Sequence, residues 1–232
     1  MSKFRFSSLV AATVFAASTA SAAVVVSANN SSSSLVPGLT GFTTSGDQMT
    51  GLRVTASFFG GFSQSLAWAT TGAGAGGVSG TGWGLAQSGN TFNSPWSFSN
   101  SGNGGLLSLI LDASGSNQVT IFDRTLPSFG TSGSAQGVDF DIQSGCALCV
   151  GTAVYSNAVG IVPNLPVLDL YHTLTVTFTG NTGPTGDWTF LQDTDNDSRL
   201  TTGFNVPEPS SLALMGLALS VFGWTARRRR SA

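Results

Sequence analysis

Between residues 23 and 206 the chain contains no Lys and no Glu, and only Arg53, Arg124 and Arg199 stand against ten Asp. Lys, Glu and Arg are the residues that usually fill the exposed faces of helices. A segment of this length without them has little from which to build an amphipathic helix surface. Its apolar residues alternate instead. Leu52, Val54, Ala56 and Phe58 fall on one face, with Arg53, Thr55 and Ser57 opposite; Leu174, Val176 and Phe178 interleave with Thr173, Thr175, Thr177 and Thr179. Period two with one polar face is the signature of half-buried strands.

The same reading extends to Val119 and Ile121, to Phe140 and Ile142, and to Phe62–Ala69, Trp96–Phe98, Val150–Tyr155 and Trp188–Leu191. Leu106–Leu111 is apolar on both faces except at Ser108, as a central strand would be. Clusters of Gly, Ser, Asn and Asp separate these runs at Ser99–Gly105, Asp112–Asn117, Ser128–Gly133 and Gly180–Asp187. About ten short strands with such turns predict an all-β body, an antiparallel β-sandwich or jelly roll over residues 52–205. Residues 23–51 and Thr70–Gly82 are read as flexible, the first as the mature N-terminus.

Both ends of the chain read as addresses. Lys3 and Arg5, the apolar stretch Leu9–Ala17 and Ala20-Ser21-Ala22 form the three parts of a secretory signal peptide, with cleavage after Ala22 or Ala23. At the other end Pro207, Glu208 and Pro209 precede an apolar run from Leu212 to Ala226, followed by Arg227, Arg228, Arg229 and Arg230. Pro cannot propagate a helix, so a transmembrane helix starts only after Pro209. Its 15 residues make roughly 22 Å as a helix, workable in a bilayer with snorkelling arginines. The arginines would hold that end in the cytoplasm and act as a membrane stop, leaving the body outside.

This order of Pro-Glu-Pro, apolar helix and terminal arginine cluster, at residues 206–232, resembles the PEP-CTERM sorting signal of Gram-negative bacteria. The resemblance is confined to the tail. It implies recognition by exosortase, an integral-membrane cysteine transpeptidase-like enzyme, removal of the tail, and delivery to the cell surface or extracellular matrix. In that family such proteins commonly accompany exopolysaccharide-producing and biofilm-forming systems. The expected partners are then signal peptidase, the general secretion machinery, the inner membrane before processing, exosortase, and exopolysaccharide. Nucleic acid is excluded, because a body of net charge −7 offers no basic face to phosphates.

Within the body few residues point to chemistry. Gly72–Gly77 contains G-x-G-x-x-G, but no helix follows and the next Asp is Asp112, so it reads as a loop. Cys146 and Cys149 are the only cysteines; zinc would need further ligands and His172 is the only histidine. In an oxidising compartment the pair reads as a disulfide. His172 reads as an outward-facing strand residue, without a G-x-S-x-G elbow to serve.

Asp193, Asp195 and Asp197 alternate as calcium ligands do, with Asp187 as a further carboxylate from across a turn. As an EF-hand the segment fails at Ser198, where Gly is needed, and at Phe204, where the bidentate Glu belongs. A solvated acidic loop explains it as well. Trp68, Trp83, Trp96, Trp188, Tyr155 and Tyr171 suit either a core or a sugar-stacking platform.

Three readings of the body follow. The first is a non-enzymatic protein of the surface or matrix, without cofactor; the second is a carbohydrate-binding module, with calcium as an optional ligand. The third is a secreted hydrolase built on Asp139 and Asp141, which are two apart on one strand face.

Overall fold

A computed structural model describes residues 23–39, 43–114, 120–125, 136–163 and 169–197. The predicted signal peptide, Pro207-Glu208-Pro209, the apolar run and Arg227–Arg230 lie outside these residues. No helix among the described residues is long and apolar enough to cross a membrane.

The strands run in chain order as β1 (Ala23–Val36), β2 (Arg53–Phe58), β3 (Ser63–Ala67), β4 (Ala69–Gly72), β5 (Ala75–Gly80), β6 (Trp83–Ser88) and β7 (Trp96–Asn100). After these come β8 (Leu106–Asp112), β9 (Thr120–Asp123), β10 (Asp141–Ser144), β11 (Val150–Ile161), β12 (Leu170–Phe178), β13 (Trp188–Leu191) and β14 (Asp193–Asn196). A 3-10 turn, Gly46–Met49, precedes β2. They form two sheets. The larger is ordered β1-β11-β12-β8-β2-β3, with β9 beside the start of β12 and β14 beside β9; the smaller is β10-β13-β7-β6-β5-β4.

The alternation that predicts the strands also sets their inward faces. Val54, Ala56 and Phe58 of β2 are buried, as are Leu174, Val176 and Phe178 of β12, and Leu106–Leu111 forms the central strand β8. The sheets meet through aromatic rings. Phe58 lies 6.4 Å from Phe98 between ring centroids, and Phe178 meets Trp188 edge-on at 5.8 Å. Such offset and edge-to-face pairs add to the stabilisation from area burial alone.

Three expectations about architecture change. The sheets are not purely antiparallel, because β1 pairs parallel with β11. Residues 23–51, read as flexible from their Ser and Asn content, supply that strand and the 3-10 turn, whose Met49 is fully buried.

Thr70–Gly82, also read as flexible, contains the β4–β5 hairpin, turning at Gly74 with φ +68°. Its glycines serve close packing instead of mobility. A Cβ on Gly76 would stand 2.2 Å from the carbonyl oxygen of Gly46 and 2.3 Å from the Trp68 indole nitrogen, so only Gly lets the 3-10 turn sit against β5.

Candidate functional site

The acidic segment Asp193–Asn196 is a fully buried strand, and the solvated-loop reading of it fails. Strand β14 pairs antiparallel with β9, which places Asp193 directly opposite Asp123 and Asp195 opposite Ile121. Directly opposed residues share a face, and so do residues two apart on one strand. Asp123, Asp193 and Asp195 therefore converge, each with a carboxylate oxygen within 4.8 Å of the others, and all three are buried.

Asp123 was not visible as a candidate in the sequence. It ends a short strand, and only the β9–β14 register brings it to Asp193. Asp197 is also buried, but it bridges to Leu39 and stands outside the three-carboxylate group. Asp187 does not join it either: its carboxylate accepts from the backbone N–H of Asn100 at 3.1 Å, beside β7.

Like charges opposed across a strand pair are unfavourable, and burial sharpens the conflict. At Asp193 the effect that shows is burial itself. Burial pushes its pKa up to about 6, although its Oδ1 accepts from the Thr91 hydroxyl at 2.9 Å and the Thr194 N–H at 2.8 Å. An unfolded Asp titrates near 3.8, so the native state holds more protons between about pH 4 and 6, and stability falls as pH rises through that window. A shift of this size corresponds to about 3 kcal/mol. In chelator the urea midpoint of the wild type should be lower at pH 7 than at pH 4.5. Asp193→Asn should flatten that difference; an unchanged pH slope would refute the assignment.

Around the cluster runs a buried polar network that fixes its strands. The Arg124 guanidinium grips both oxygens of Asp139, at 2.9 and 3.0 Å, and lies 4.7 Å from the centroid of the Tyr155 ring. The Tyr155 hydroxyl accepts from the Phe140 N–H at 2.8 Å and donates to Gln192 Oε1. Gln192 Nε2 donates to the Asp193 carbonyl at 2.7 Å, and the Gln192 carbonyl accepts from Trp96 Nε1 at 2.9 Å. Burial raises the Tyr155 pKa far above its ordinary value, so the phenol stays protonated and keeps donating.

The remaining sequence candidates are dispersed. Asp139 is held by Arg124, while Asp141 is exposed and accepts from Gln143 at 2.6 Å, so the two engage different partners. His172 is buried, contrary to the outward-facing expectation. It lies on β12, which is covered on both flanks by β11 and by β8 and β9, and its Nδ1 is 3.4 Å from Ser34 Oγ. Trp68, Trp83, Trp96, Trp188, Tyr155 and Tyr171 are all buried and belong to the core, so none offers a stacking platform. Cys146 and Cys149 stand at disulfide distance, with Cα atoms 5.2 Å apart, in the turn before β11.

No curated protein and no solved structure matches the chain. Residues 205–230 match the family model of the PEP-CTERM protein-sorting motif, and the chain is accordingly an exported protein that exosortase recognises through its tail.

Proposed function

We propose that the mature protein is a non-enzymatic component of the cell surface or extracellular matrix, associated with exopolysaccharide and biofilm, and released there when exosortase removes its tail. The sorting motif at residues 205–230 carries this reading. The body supports it by commitment: His172, the six large aromatics and Asp139 all serve packing or internal pairing. Mass spectrometry of protein recovered from the cell surface tests the proposal. The expected species begins at Ala23 or Val24 and ends within the tail; full-length protein confined to the inner membrane would overturn it.

Within that body, Asp123, Asp193 and Asp195 suit calcium as a structural ion. Carboxylate oxygens are its preferred donors, and ligands 2.3–2.6 Å from one ion stand up to about 5 Å apart, in line with the 4.8 Å grouping. A bound divalent cation would also remove the repulsion among the three carboxylates. Calcium in hundredfold excess over its Kd should stabilise the fold by about 2.7 kcal/mol. The gain should disappear in Asp195→Asn. A wild type whose melting temperature is the same in calcium and in chelator would exclude this role.

A further inference from the structure

We propose that a cleft on the outer face of the smaller sheet is a glycan-binding site, which takes a neutral sugar unit of an exopolysaccharide. The cleft has a volume of about 410 Å³, within the roughly 300–1,000 Å³ common to small-molecule sites. Its floor follows from strand alternation. On β6 and β7, Leu85, Gln87, Trp96 and Phe98 are buried, which turns Ala86, Ser88 and Ser97 outward and leaves them exposed. Register then pairs the floor residues: Ser97 lies opposite Ala86, and Ser88 opposite Ala75. Small side chains at these positions leave a hollow that the β-branched and aromatic residues usual in strands would fill.

Both walls are held in place. One is the β4–β5 hairpin, which contributes Thr71. At its tip the Gly74 N–H donates to the Asp47 carboxylate and the Gly74 carbonyl accepts from the Gly89 N–H, each at 3.0 Å. The other wall is Ser94-Pro95, in the connection between β6 and β7. There the Asn90 carbonyl accepts from the Ser94 N–H at 2.8 Å, and the Asn90 side chain accepts from the Phe92 N–H at 3.0 Å. A cleft fixed by its own backbone bonds needs little ordering when a ligand enters, which conserves affinity.

The lining selects the ligand class. Thr71, Ser88, Ser94 and Ser97 bring hydroxyls, each a donor as well as an acceptor, while Ala75, Ala86 and Pro95 bring apolar surface. A sugar ring has the same two aspects, hydroxyls around its edge and C–H groups on its faces. No Asp, Glu, Lys, Arg or His is among the described residues that line the cleft, so none of them pairs with a charged ligand. The ten Asp of the body against its three Arg repel an acidic polysaccharide. A neutral one meets no such barrier. The site rests on the exopolysaccharide association proposed above and gives it a place on the fold.

Affinity electrophoresis of the mature protein, its termini first fixed by mass spectrometry, tests the site. The probe cast in the gel is exopolysaccharide from the same cells, divided by anion exchange into neutral and acidic fractions. The neutral fraction should retard the wild type. Ala86→Ile, which fills the floor, should weaken retention roughly tenfold, and Ser97→Val, which removes one hydroxyl, about threefold. Ser99→Val, on the same face of β7 but outside the lining, should bind as wild type. All three positions are exposed, so the unfolding midpoints should stay at the wild-type value. Retention that Ala86→Ile and Ser97→Val leave unchanged overturns the cleft and moves the association to another surface. Retention by the acidic fraction alone overturns the ligand class. Retention by neither overturns the cleft and the exopolysaccharide association together, while tail removal and surface delivery stand or fall by mass spectrometry.

Discussion

Glu208→Ala is expected to leave the chain in the inner-membrane fraction with its tail attached, while the body folds as in wild type. Glu208 stands between Pro207 and Pro209 in the matched motif, and it is the only acidic residue after Asp197. A recognition step that reads a carboxylate between two prolines loses its anchor when the carboxylate goes. Packing of the body does not change, because Glu208 follows the last described strand by more than ten residues. Deleting Arg227–Arg230 should act on a different step, loosening the cytoplasmic stop and letting the apolar run slip or translocate. Fractionation combined with an antibody to the body separates the two. Surface delivery of Glu208→Ala with its tail removed at the wild-type rate would leave only an ordinary membrane anchor.

Trp188→Ala should produce the largest loss of stability of any single change in the core. The indole is 1% exposed and lies within 6.2 Å, centroid to centroid, of Phe98, Phe140, Phe178 and Phe190. Truncating such a residue leaves a cavity that rigid neighbours cannot fill and costs about 3–5 kcal/mol, a large share of the 5–15 kcal/mol available to a typical domain.

Trp188→Phe gives an internal contrast. Trp68, Trp83 and Trp96 each donate their indole N–H to an oxygen at 2.7–2.9 Å, whereas Trp188 Nε1 has no hydrogen-bond partner among the described residues. Removing that N–H relieves a buried unsatisfied donor, so Phe at this position should cost only about 1–2 kcal/mol. Denaturant midpoints measure both. Equal losses for Ala and Phe would show that packing at Trp188 is not what holds the sheets together.

What could be read from the chain alone follows a physical division. Strands β2 and β12 declare themselves because their apolar residues face one shared core, so burial is written into local alternation, and β8 declares itself as a short apolar run. Strand β14 does not. Three Asp in five residues oppose strand propensity, and only pairing with β9 and burial beside Thr91 turn that segment into a strand. Asp123 became a candidate for the same reason, through a register that joins residues far apart in sequence.

Strand β1 was hidden by its Ser and Asn content, since the information that it is a strand resides in the β11 edge it completes. The glycines of β5 mislead in a related way: they suggest freedom, yet Gly76 is where the backbone of Gly46 comes closest. The tail is the opposite case. Its signal is a linear order of residue types, so no fold was needed to recognise it.

The parallel pairing of β1 with β11 also bears on when the chain can fold. Ala23 meets Val150, well over a hundred residues downstream, and Val36 meets Ile161. Strand β1 therefore has no partner until most of the body has been made. Closing so long a loop is slow, and contacts of this separation form late. The larger sheet therefore cannot be completed early. Its N-terminal strand is among the last parts expected to lock in.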